Sequence, residues 1–132
     1  MTDEGYGTRR RREILETAAD LSTCEGLDAL SFSRIASEVG LTKAGVAAHF
    51  ESKEALQVAV VNAAARRYAA PIVDATGRSE PGLSRLRALA SAWFEHLDSV
   101  DYRGGCFFTS AGLVLRAGRV PYGTRSPNTR EA

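Results

Sequence analysis

The side chains able to do covalent chemistry are few and scattered. Cys24 and Cys106 stand far apart, as do His49 and His96, and Ser52 has no recognisable base at a motif spacing. A nucleophile needs a base within hydrogen-bond reach, and a metal needs several suitable ligands that converge. Neither pattern is present, no phosphate-cradling P-loop occurs, and the acids define no general acid/base pair. The sequence therefore reads as a non-enzyme that needs no metal and no cofactor. Its two cysteines are too few for a disulfide scaffold.

What remains are groups suited to binding. Arg9, Arg10, Arg11 and Arg12 form a basic arm, whereas 14–30 holds Glu16, Asp20, Glu25 and Asp28 and no base. Over 132 residues, 17 basic and 16 acidic side chains leave a formal charge of +1, so any electrostatic contact must come from local placement. The arm reads either as a solvated helix start or as a set of phosphate contacts. Four positive charges at a helix N-terminus oppose the helix dipole, which favours a partner or fraying there. The aromatic residues Trp93, Phe94, Phe107 and Phe108 either line a pocket or fill a core.

The elements that must position these groups are helical. Ile14, Ala18 and Leu21 recur at helical spacing and predict a helix over 9–23, ended near Gly26. Ser31 is placed to cap a second helix whose buried side is Ile35, Ala36 and Val39. Gly40 permits a sharp turn, Leu41 packs back, and Thr42 caps a third helix starting at Lys43. That segment, KAGVAAHF, is too short to persist alone, so Leu41, Val46 and Phe50 must hold it against its neighbours. Its other face carries Lys43, Ala44, Ala47 and Ala48, slender enough for close approach of another body.

Ser52 caps a long helix with Glu54 near its positive end, and Pro71 is expected to kink or end it. Leu83, Leu86, Leu89, Ala90, Trp93, Phe94, Leu97 and Val100 then form the strongest apolar stripe in the chain, that of a core or interface helix. A further helix is expected from about Cys106, and the stretch 119–132, rich in Arg, Pro, Ser and Thr, reads as an open tail. The 44% of hydrophobic residues is ample for a folded core. No apolar leader and no run of about eighteen apolar residues is present, so the expected location is the cytoplasm, with no membrane partner.

A capped helix after a glycine turn is the sequence form of a helix-turn-helix, and such a helix fits the DNA major groove. Thr42 and Lys43 stand where phosphates would lie, and Lys53 and His49 are either phosphate neighbours or structural and solvated side chains. The competing reading is a three-helix core in which Gly40, Thr42 and Phe50 are only turn, cap and plug.

The order Ile14-Leu15, Gly26, Ile35-Ala36, Val39-Gly40-Leu41-Thr42-Lys43, Phe50, Ser52-Lys53-Glu54 and Leu56 resembles the N-terminal region of TetR-type transcriptional regulators, over residues 10–56. The resemblance implies an all-α chain: an N-terminal three-helix bundle with a helix-turn-helix at 1–51, and a linking helix with a partial helical effector-binding and dimerisation body at 52–118. The tail is 119–132. It implies an effector-responsive DNA-binding regulator, a repressor, reading double-stranded operator DNA through the helix at 43–49.

The DNA-facing residues it implies are Arg10, Arg11, Ser33, Arg34, Thr42, Lys43, Ala44, Gly45, Ala47, His49 and Lys53. Ala47 stands where the family usually has Tyr, which removes a backbone contact, and Gly45 offers no side chain for base readout. The segment RGGCFF is similar to a junction in one TetR subgroup and places Trp93, Phe94, Leu97, Cys106, Phe107 and Phe108 at a site for an unidentified small-molecule effector. A homodimer is implied where the body permits it, yet regular helical pattern stops near Gly118, so the body reads as cut short. The alternative is a truncated helical protein-interaction module without specific DNA binding.

Overall fold

The computed structural model describes residues 5–99 and 102–110, and every regular element among them is helical. Helix α1 spans Tyr6–Glu25, and a single 3-10 turn follows at Leu27–Ala29. Then come α2 at Phe32–Val39, α3 at Lys43–Ala47, α4 at Lys53–Gly77 and α5 at Leu83–Asp98. Residues 107–110 open a further helical turn. Val100, the continuation toward Gly118 and the tail at 119–132 lie outside the described residues.

Helix α1 begins a full turn before the arginine run that sequence periodicity marks. Gly5 gives it no side-chain cap and its first turn holds no acid. Side chains one turn apart compensate: Arg10 donates to Glu13 at 2.7 Å and to the Tyr6 hydroxyl at 3.1 Å, with its guanidinium 5.4 Å from the Tyr6 ring centre. The opposite face buries Ile14, Leu15, Ala18, Ala19 and Leu21. Gly26 ends the helix with a positive φ of 90°.

The core lies where α1, α2, α3 and the first half of α4 meet. Ile14, Leu21, Leu30, Ile35, Val46, Leu56 and Val60 are its largest fully buried side chains. Gln57, the buried polar side chain of α4, donates to the Leu27 carbonyl at 3.1 Å, so its amide does not stand unsatisfied. Phe107 belongs to the same hydrophobic cluster, which carries the core beyond the helix-turn-helix.

Helix α4 does not end at Pro71. It continues to Gly77, for a length of roughly 37 Å at 1.5 Å per residue. Its second half packs against α5, but on the Ala92 side of that helix. The apolar stripe predicted for a core or interface faces outward instead: Leu83, Leu86 and Phe94 are 60–65% exposed. Its spacing is helical as expected, but α5 packs chiefly on α4, with its Ala92 side inward and the rings of Trp93 and His96 against Tyr68.

Candidate nucleic-acid interface

The helix-turn-helix is fixed by caps at each joint. The Ser31 hydroxyl accepts from the Arg34 amide at 3.0 Å, and the Thr42 hydroxyl accepts from the Gly45 amide at 3.0 Å. The Ser52 hydroxyl does the same for Ala55 at 3.0 Å. Gly40 takes the left-handed conformation (φ 70°, ψ 32°), and the amide of Leu41 returns to the Ala36 carbonyl at 3.0 Å. This closes the turn between α2 and α3.

Helix α3 is shorter than the KAGVAAHF segment proposed for it and ends at Ala47. Val46 is fully buried and Phe50 nearly so, which anchors one face of α3 to the core. Thr42, Lys43, Ala44 and Ala48 form the exposed face, with Gly45, Ala47 and His49 half-buried beside it. Lys43 has no ion pair or hydrogen bond among the described residues.

The other cations of the predicted DNA-facing set are engaged within the molecule. Arg34 donates through Nε and Nη2 to Glu25 and through Nη1 to Glu38 at 3.0 Å, and these bonds raise its pKa. Lys53 donates to the Asp28 carbonyl at 2.6 Å. Arg10 is held by Glu13 and Tyr6, and the Arg11 guanidinium lies 5.0 Å from the Phe50 ring centre. Ser33 is exposed on α2. A phosphate contact by Arg34 or Lys53 must therefore displace or share an internal partner, whereas one by Lys43 need not.

The predicted effector residues divide into two groups. Cys106, Phe107 and Phe108 line a cavity of about 170 Å³ together with Tyr68, His96 and Tyr102. Trp93, Phe94 and Leu97 do not line it and are 39%, 65% and 40% exposed on α5. Trp93 reaches the cavity wall only through Tyr68, edge-on at 5.5 Å between ring centres. Tyr68 also meets His96 at 4.8 Å and Phe108 at 5.4 Å, and burial, with Cys106 adding, pushes its pKa up.

Sequence reasoning missed the connection between this cavity and the helix-turn-helix. The backbone amide of Arg103 donates to Asp20 at 2.8 Å and its guanidinium donates to both Asp20 and Glu38. The amide of Gly104 donates to the Thr23 hydroxyl at 3.0 Å, and a Cβ at Gly104 would overlap the Thr23 carbonyl. Glu38 thus sits between Arg34 and Arg103, and hydrogen bonding by Arg34, with the charge of Arg103, pulls its pKa down. The sequence signal nearby was the RGGCFF junction, which points to the effector residues and not to α1 or α2.

A three-helix unit with a capped α2–turn–α3 is a helix-turn-helix, and its sequence decides the kind. The profile described as "Bacterial regulatory proteins, tetR family" matches residues 14–60. Over these residues the chain is similar to that family. The match takes in α1 from Ile14, all of α2 and α3, and the start of α4.

The overall fold has a solved counterpart as well. A crystal structure of a TetR-family transcriptional regulator from Streptomyces coelicolor is similar to this chain, with a TM-score of 0.69 and 29% sequence identity. The similarity covers 87% of this chain and 59% of that one. The chain spans well under two thirds of the length of that regulator. No curated protein matches significantly. Among the described residues, no helix is long and apolar enough to cross a membrane.

Proposed function

We propose that the chain is an effector-responsive, DNA-binding transcriptional regulator that acts as a repressor in the cytoplasm, with no chemical step. The observation that carries this reading is the exposed face of α3. Thr42, Lys43 and Ala44 stand out from a helix whose opposite side is anchored by Val46, and Lys43 has no internal partner. Such a face can enter the major groove of operator DNA, with Lys43 on a phosphate and the small side chains allowing close approach. Arg10, Arg11, Ser33, Arg34, Ala47, His49 and Lys53 flank it as the wider contact set.

In this reading 1–51 is the DNA-binding head and 52–118 the linking helix and effector-binding, dimerising body. A ligand in the cavity at Cys106, Phe107 and Phe108 acts on the head through the Arg103–Gly104 turn, which bonds to α1 and α2. Its differential affinity for two arrangements of the head sets the size of the response. A homodimer places two heads on a palindromic site. The test is a titration of duplex DNA from the upstream promoter at several salt concentrations. Specific binding whose log affinity falls linearly with the logarithm of salt supports the reading, and no duplex preference at low salt removes it.

The exposed Leu83, Leu86 and Phe94 favour a second reading, a helical protein-interaction module without specific DNA binding. DNA-independent capture of a polypeptide partner, lost on polar substitution of α5, distinguishes it.

A further inference from the structure

The two cysteines occupy opposite environments. Cys24 is exposed near the end of α1, with only the Thr23 hydroxyl near its sulfur, at 3.9 Å. Cys106 is buried, lines the 170 Å³ cavity, and has its Sγ 3.5 Å from Nε2 of His96, a residue of α5. The rest of the wall joins the rings of Tyr68, Tyr102, Phe107 and Phe108 to Ala64, Pro71, Ser99 and Arg67. Packing alone does not require a thiol and an imidazole to meet at the edge of an open cavity. A nucleophile beside a base, in a cavity walled in part by aromatic rings, is a reactive arrangement.

We propose that Cys106 and His96 form a covalent capture site for small, apolar α,β-unsaturated carbonyl compounds. This rests on the reading of the cavity as the effector site and gives that effector a chemical class. Sγ attacks the β-carbon of the bound compound and forms an S–C bond, while the C=C π pair moves to become an enolate. The thiol proton passes to Nε2 of His96 and returns to the enolate α-carbon. The net change is addition of S–H across the double bond, with no oxidant, reductant or leaving group. The aromatic wall selects apolar compounds. The phenol of Tyr68 lines the same cavity and supplies a hydroxyl donor for the carbonyl oxygen.

Placement gives the adduct a consequence. Cys106 lies two positions after Gly104, whose amide is bonded to Thr23, and three after Arg103, which is bonded to Asp20 and Glu38. A group filling the cavity pushes on the segment that is tied to α1 and α2.

The test is peptide-resolved mass spectrometry of the intact chain treated with 2-cyclohexen-1-one, with Cys24 as the internal reference. Cys106 is expected to acquire the adduct about tenfold or more faster than Cys24 despite its burial, and His96→Gln to remove most of that advantage while leaving Cys24 unchanged. Equal or faster modification of Cys24 by cyclohexenone in the unsubstituted chain overturns the proposal, whatever the variant does. So does an undiminished Cys106 rate in a folded His96→Gln chain. Duplex affinity of the untreated protein reports on the regulator reading separately, so failure of one is not confused with failure of the other.

Discussion

Arg103 holds both oxygens of the Asp20 carboxylate, its backbone amide at 2.8 Å from Oδ1 and its Nε at 2.6 Å from Oδ2, across 83 positions of chain. The same guanidinium reaches Glu38 of α2, which in turn accepts from Arg34, itself bound to Glu25 at the end of α1. Charged groups of α1, α2 and the turn after α5 therefore form one continuous chain. Helix α2 and the segment leading to the cavity meet at Glu38.

Two neighbouring substitutions separate charge from packing in this contact. Arg103 is more than half exposed, so Arg103→Ala should lower stability only slightly. Gly104→Ala forces a Cβ into the Thr23 carbonyl and should cost more, about 1–3 kcal/mol. Urea unfolding of both variants checks the order, and a larger loss for Arg103→Ala would reverse the assignment.

The charge chain predicts a pH dependence of known sign. Glu38 titrates below its ordinary value of 4.5 in the folded chain, so its folded form binds fewer protons than its unfolded form near that pH. Its contribution is present above the unfolded value and is lost as pH falls through the lower folded value. The group is solvent-exposed, so the effect is small. Glu38→Gln should flatten the acid limb of the unfolding midpoint against pH and leave its slope near neutrality unchanged.

Phe50→Ala removes the plug that follows α3. Phe50 is 7% exposed and lies in the same cluster as Ile14, Ile35 and Val46. A loss of about 3–5 kcal/mol is expected from lost transfer energy and the cavity left behind. Thermal or urea unfolding measures it, and a negligible shift would place the ring outside the core.

Lys43→Ala should leave unfolding nearly unchanged, because Lys43 is exposed and has no internal partner. Duplex affinity should fall across sequences, and the slope of log affinity against log salt should shrink by about 1. Arg34→Ala is the contrast: it should affect stability as well as binding, since Arg34 bridges Glu25 and Glu38.

Gly45→Ala sets two effects of similar size against each other. Alanine favours the helix by about 1 kcal/mol over glycine. The added Cβ, however, lies 3.2 Å from the Thr42 hydroxyl oxygen that caps α3 by accepting from the amide of residue 45. Loosening that cap costs about 1 kcal/mol, so the net change in unfolding should be near zero. A full gain in stability would show that Thr42 moves aside without losing its bond.

Local rules made the head legible. Ser31, Thr42 and Ser52 were recognisable as caps from residue type and position, Gly40 as a left-handed stop, and Phe50 as the plug, because each depends on neighbours within a turn or two. The early start of α1 escaped periodicity, since it depends on Tyr6 pairing with Arg10 rather than on an apolar face. The Arg103–Asp20 contact joins residues with no local relation, and nothing in either neighbourhood announces it. The α5 stripe shows a different limit: spacing identifies an apolar face but does not say which face meets α4, and the small side of the helix does.

The chain has a single tryptophan, and it stands edge-on to Tyr68 on the wall of the cavity. Its intrinsic emission originates at one point, half in solvent and half against the ring that also touches His96 and Phe108. The molecule thus contains its own optical gauge, able to register rearrangement of that wall without an attached dye.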